Sequence, residues 1–130
     1  MLENTEIIST YTHAQATADG VLVDVSTTAQ EAGFRFPVAV TSTVWESLIV
    51  PDQAVASWGN SIQGRLWDVL SVLRFSIGRH HGPTLLFKVI FTVGHKNRPG
   101  CYQKEVQLKA ICGPGDTAEP VITIMLPDED

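Results

Sequence analysis

Three apolar runs in the last third of the chain, residues 85–93, 105–111 and 120–127, constrain the fold most strongly. Each has the length and β-branched content of a strand. In the first, Phe87, Val89, Phe91 and Val93 share one face, while Lys88, Ile90 and Thr92 share the other. In the second, Val106, Leu108 and Ala110 alternate with Glu105, Gln107 and Lys109. That two-residue period is the mark of a sheet with one buried face. The third run is apolar on both faces from Val121 to Leu126, which places it centrally or beneath a helix. Residues 94–100 and the segment Gly113-Pro114-Gly115-Asp116 are short turns, so successive strands can pair antiparallel.

Ahead of these runs, residues 61–77 carry the clearest helical pattern. Ile62, Leu66, Val69, Leu70, Leu73 and Ile77 fall within about 100° of arc at helical spacing, one core-facing stripe. Trp67, Val72 and Phe75 lie outside that stripe, so the helix is either buried on several sides or exposes an apolar patch.

The N-terminal half reads as short elements. Residues 10–18 suit a short helix closed by Asp19-Gly20. Residues 21–25 suit a strand with Val21, Val23 and Val25 on one face. Thr28 with Glu31, and Thr43 with Glu46, have the spacing of capping boxes for two further short helices, closed by Gly33 and Pro51. Residues 37–40 form a short extended run, and residues 51–60 a loop. The expected fold is therefore α+β and a single domain over 1–130. A three-stranded antiparallel meander (about 85–126) packs against the helix 61–77, and the strand 21–25 joins or extends the sheet.

Charge narrows the function classes. The chain carries 14 acids against 9 bases, a net charge of −5, which argues against a general nucleic-acid binder. Charged residues are 18% of the chain, below the roughly 25% of an average domain, while 44% are hydrophobic. So little polar surface hints at self-association, and a homodimer is expected, with Trp67 and Phe75 at its interface. No apolar run reaches membrane-spanning length, and the first ten residues hold two glutamates and no basic residue, unlike a secretory signal. Cys101 and Cys112 would stand at opposite ends of one strand, too far apart to bridge. Free thiols point to a cytoplasmic protein. The bases cluster between Arg74 and Lys109, which reads as a solvated face of helix and hairpin or, more sharply, as a patch for an anionic partner.

No segment carries a specific catalytic, metal or nucleotide signature. Cys101 follows the turn Pro99-Gly100, and with His80 or His95 it is the candidate nucleophilic pair. Asp24 and Asp116 are candidate carboxylates for acid/base work. Each has a plain alternative. Cys101 can be an ordinary loop cysteine, Asp24 can cap a helix start, Asp116 suits a turn, and Asp68 can pair with Arg65 three residues earlier. Arg35, between Phe34 and Phe36, is expected to pair with one of these acids. His80 and His81 are adjacent, and no paired Cys-x-x-Cys spacing is present, so no metal is expected. The Gly113–Asp116 turn lacks the Gly-Lys-Ser/Thr of a phosphate loop, and no cofactor is expected.

Several segments together resemble a family of small bacterial proteins of unknown function. They are the stretch from Tyr11-Thr12-His13-Ala14-Gln15-Ala16 through Asp19-Gly20-Val21-Leu22-Val23-Asp24-Val25, the stretch Ala32-Gly33-Phe34-Arg35-Phe36-Pro37-Val38-Ala39-Val40-Thr41, the run Gly64-Arg65-Leu66-Trp67-Asp68-Val69-Leu70, the turn Gly113–Asp116, and Glu119-Pro120-Val121-Ile122-Thr123-Ile124-Met125-Leu126-Pro127. Members of that family look like accessory genes of plasmids, phages and other mobile elements. The resemblance implies that setting and no chemistry. The expected function is a non-enzymatic protein-interaction or binding module, one version being an inhibitor of a host defence system that uses its acidic half against a host protein. The alternatives are a small enzyme built on a Cys/His/Asp site, or a small-ligand carrier with a cavity beside a curved sheet.

Overall fold

A computed structural model of the chain describes residues 13–51, 59–78, 82–114 and 119–129. In chain order the elements are α1 (His13–Ala18), β1 (Leu22–Asp24), α2 (Ser26–Glu31), β2 (Val38–Thr41) and α3 (Ser42–Val44). A π-helical turn, Trp45–Ile49, continues α3. Then come α4 (Ile62–Ile77), β3 (Thr84–Gly94), β4 (Cys101–Pro114) and β5 (Pro120–Met125).

The fold is α+β, but the sheet is not a three-stranded meander. It has five strands in the order β1-β2-β5-β4-β3. The hairpin β3–β4 and the pair β4–β5 are antiparallel, as expected. The short run at residues 37–40 is the strand β2, and it pairs parallel with β5. Strand β1 joins the sheet through β2. β5 therefore sits in the middle of the sheet, which explains why it is apolar on both faces. β2 is also buried along its whole length. Four residues with no solvent face offer no alternation to read.

Local contacts explain the short elements. Asp24 Oδ1 accepts from the Ser26 amide at 3.0 Å and from the Ser26 hydroxyl at 2.6 Å, so Asp24 holds the first residue of α2, whose N-cap position is Val25 and not the expected Thr28. Ser26 Oγ in turn accepts from the Val38 amide at 3.1 Å and ties α2 to β2. The expected Thr43 box gives way to Thr41, whose Oγ1 accepts from the Val44 amide at 3.3 Å. Ser61 Oγ caps α4 by accepting from the Gly64 amide at 3.0 Å. Of the three valines near β1, Val25 is buried, Val23 packs against the core and Val21 is exposed.

The core lies between α4 and one face of the sheet. Leu66, Val69, Leu70 and Leu73 of the helical stripe meet Phe87, Val89, Phe91, Leu108, Val40 and Ile124. The stripe's ends, Ile62 and Ile77, are exposed. The opposite face is divided. Over β2 and β5 it is closed by the chain after β5. There Glu129 Oε1 accepts from Thr41 Oγ1 and from the Leu126 amide, both at 2.9 Å, and the Glu129 carbonyl accepts from Lys109 Nζ at 2.5 Å. Over β3 and β4 that face is exposed, with Leu86 and Ile90 at 53% and 57% exposure beside an ion pair of Lys88 and Glu105 at 3.7 Å. No helix among the described residues is long and apolar enough to cross a membrane.

Candidate functional site

An open cleft of about 440 Å³ lies at the C-terminal end of α4. Its floor is the helix-facing side of the sheet, where Leu85 pairs with Ala110 and Cys112 with Ile122. Phe34, Arg35 and Phe36 form one wall, from the connection between α2 and β2. Arg74 and Ile77 of α4 and the approach to β3 at Gly82-Pro83 form the rest. The lining is mostly apolar and includes two arginines, the general character of a small-molecule site. Among the described residues no acid lines it. A second hollow of about 470 Å³ sits against the first turns of α4 beside Gln63, Trp67 and Asp68, and it is more open and more polar.

Arg74 is held in place by the backbone of the opposite wall. Its Nε donates to the Gly33 carbonyl at 3.1 Å. Gly33 has φ near +100°, a conformation that glycine adopts without strain. A Cβ at Gly33 would stand 2.8 Å from Arg74 Nε and 3.2 Å from Nη2. The missing side chain is therefore what lets the guanidinium lie against the turn. Arg35 is exposed, and among the described residues neither Arg35 nor Arg74 forms an ion pair; Asp116, one of the acids expected to pair with Arg35, lies outside them.

The other arginine of α4 behaves oppositely. The spacing allows Arg65 to pair with Asp68 on one helix face, and the structure buries Arg65 to 6% exposure. Its Nη1 donates to the Leu48 carbonyl at 2.7 Å, its Nη2 donates to the Thr92 carbonyl, and its Cζ lies 5.5 Å from the centre of the Phe91 ring. Arg65 thus bridges the π-helical turn, α4 and β3. Asp68 faces solvent. The apolar neighbours of Arg65 in sequence gave no sign of this, because the carbonyls it meets come from segments far along the chain.

The residues nominated from sequence are dispersed. Cys101 begins β4 opposite Gly94, and His95 follows β3 and stacks on Tyr102 with ring centres 4.8 Å apart. Asp24 lies in the same cross-sheet row as Ala39, Thr123 and Ile111. Cys101 stands ten residues along β4 from Ile111, roughly 33 Å. The Asp24 carboxylate and the Cys101 thiol therefore do not form one site. The cysteine that borders the cleft is Cys112, which had no assigned role. Both cysteines are free, at opposite ends of β4. His80, His81 and Asp116 lie outside the described residues. Among the described residues no three His, Cys, Asp or Glu side chains gather in one place. The bases between Arg74 and Lys109 are divided between faces: Lys88 and Lys109 lie on the outer face, Lys104 shares the helix-facing side with Phe91, and Arg74 borders the cleft.

Trp67 and Phe75 point away from the core, at 42% and 67% exposure. The turns of α4 that bury Leu66, Val69, Leu70 and Leu73 thus present two large aromatics on their outer side. Val72, the third residue off the stripe, packs against the core.

Along residues 1–130 the chain matches the model of a family of unknown function, DUF6573. It belongs to that family. No curated protein and no solved structure matches it.

Proposed function

We propose that this protein is a non-enzymatic binding module that works as a homodimer. The observation that carries the reading is the outward face of α4. Trp67 and Phe75 are eight residues apart, about two turns or roughly 12 Å along the helix, with the small Ser71 between them. A two-fold arrangement of antiparallel α4 helices would set Trp67 of each chain against Phe75 of the other, a self-complementary contact of the kind that closed dimers use. Buried aromatics near the centre of such a contact supply most of its energy.

The dimer leaves the acidic half of each chain free for a further partner. Residues 1–65 hold seven acids and two bases. Together with the resemblance to accessory proteins of mobile elements, this charge supports a role in occupying a basic surface of a host protein, including one that serves host defence. Light scattering tests the dimer. The reading expects twice the 14.2 kDa chain mass at micromolar concentrations, and a fall to one chain mass for Trp67→Ala or Phe75→Ala with unchanged circular dichroism. A single chain mass for the wild-type protein over that range would overturn it.

A further inference from the structure

We infer that the cleft at the C-terminal end of α4 binds a small amphipathic anion, an apolar chain or ring ending in a carboxylate. Three observations converge. The floor and walls are apolar side chains, among them Phe34, Phe36, Leu85 and Ile122, which give a ligand body somewhere to leave water. The polar residues of the lining include two arginines, and among the described residues no acid lines the cleft to neutralise them. Arg74 is also pre-positioned. Its Nε is occupied by the Gly33 carbonyl, while Nη1 and Nη2 have no hydrogen-bond partner among the described residues. A guanidinium anchored through Nε presents its two terminal nitrogens as a fork, the geometry that matches a carboxylate.

The occupant follows from the chemistry of the walls. A purely polar anion would leave the aromatic and aliphatic lining unused, and an uncharged hydrocarbon would leave both guanidiniums without a partner. The cleft's volume falls in the range of small-molecule pockets. A free medium-chain or aromatic carboxylate satisfies both parts. The same chemistry could come from an anionic lipid in a bilayer, and the two sources are separable by experiment. This inference is independent of the dimer, because it concerns Arg74 and the sheet floor rather than Trp67 and Phe75.

The test is titration of the ¹⁵N-labelled full chain with decanoate, decanol and acetate, following backbone amide shifts. Decanoate is expected to move the amides of Gly33, Ala110 and Ile122 together. Decanol and acetate are expected to bind about ten- to hundred-fold more weakly, the value of a charge-assisted hydrogen-bond pair or of the lost apolar contact. Arg74→Met should weaken decanoate by a similar factor while leaving decanol unchanged. Arg74→Lys, which keeps the charge but loses the fork, should recover only part of the affinity. Vesicles of phosphatidylglycerol should leave the same amides unmoved. Equal binding of decanoate and decanol, shifts confined to other surfaces, an Arg74→Met protein that binds decanoate normally, or shifts produced by vesicles and not by decanoate would each overturn the assignment.

Discussion

The two ends of α4 carry the same kind of residue in opposite circumstances. Near the N-terminal end, Arg65 is buried, its guanidinium donates to the carbonyls of Leu48 and Thr92, and its charge lies near the face of Phe91. Near the C-terminal end, Arg74 is exposed, uses one nitrogen on the Gly33 carbonyl and borders an open apolar cleft. The difference shows where this molecule spends its polar groups. A buried arginine that joins three elements through main-chain carbonyls is a structural clamp, because removing it leaves part-buried acceptors without their donor. An arginine beside an unfilled cleft contributes little to stability and is available to a ligand.

Substitutions at the two ends should therefore separate by size. The largest contrast is between aromatics. Phe91→Ala, beneath Arg65, opens a cavity and should cost about 3–5 kcal/mol of unfolding free energy. Phe36→Ala, on the cleft wall and half exposed, should cost less than about 1 kcal/mol in the same urea titration. Comparable losses would erase the distinction between the ends. Next comes Gly33→Ala. It forces a side chain into the left-handed region and displaces the Arg74 guanidinium, so a loss of about 1–2 kcal/mol is expected. A neutral Gly33→Ala would mean that the turn is not what seats Arg74. The smallest effect belongs to the outer face of α4. Phe75→Ala should leave the stability of one chain within about 0.5 kcal/mol at concentrations where the protein is monomeric, while lowering the mass seen by light scattering at higher ones.

What could be read from the chain follows the same division between local and distant causes. The strands β3 and β4 and the helix α4 were legible because each has a solvent face, so their apolar residues alternate or recur at helical spacing. β5 was legible as central because it has no polar face. The parallel pairing of β2 with β5 was not legible. β2 is four residues long and buried throughout, and its partner lies more than eighty residues away. The bond from Asp24 to the first residue of α2 was legible as a residue role, though Thr28 was the expected box.

The site was the hardest part to read. Its walls come from the α2–β2 connection, α4, the approach to β3, and strands β3, β4 and β5, so no stretch of sequence displays it. Arg35 and Arg74 are separated by 39 positions, and Cys112 rather than Cys101 reaches the cleft. The burial of Arg65 is illegible for a related reason. An arginine three residues before an aspartate on a helix resembles a surface pair, and only the packing of the π-helical turn and β3 around it reveals the clamp.

The contrast between the two arginines is tested most directly by urea unfolding of Arg65→Met and Arg74→Met beside the wild-type protein. Methionine keeps an unbranched apolar stem and removes the guanidinium with its donors and charge. Arg65→Met should lose about 2–4 kcal/mol, the sum of stranded carbonyls and the lost ring contact, while Arg74→Met should stay within about 0.5 kcal/mol of wild type. Equal losses for the two variants, or a larger loss for Arg74→Met, would contradict the assignment of one end of α4 to structure and the other to binding.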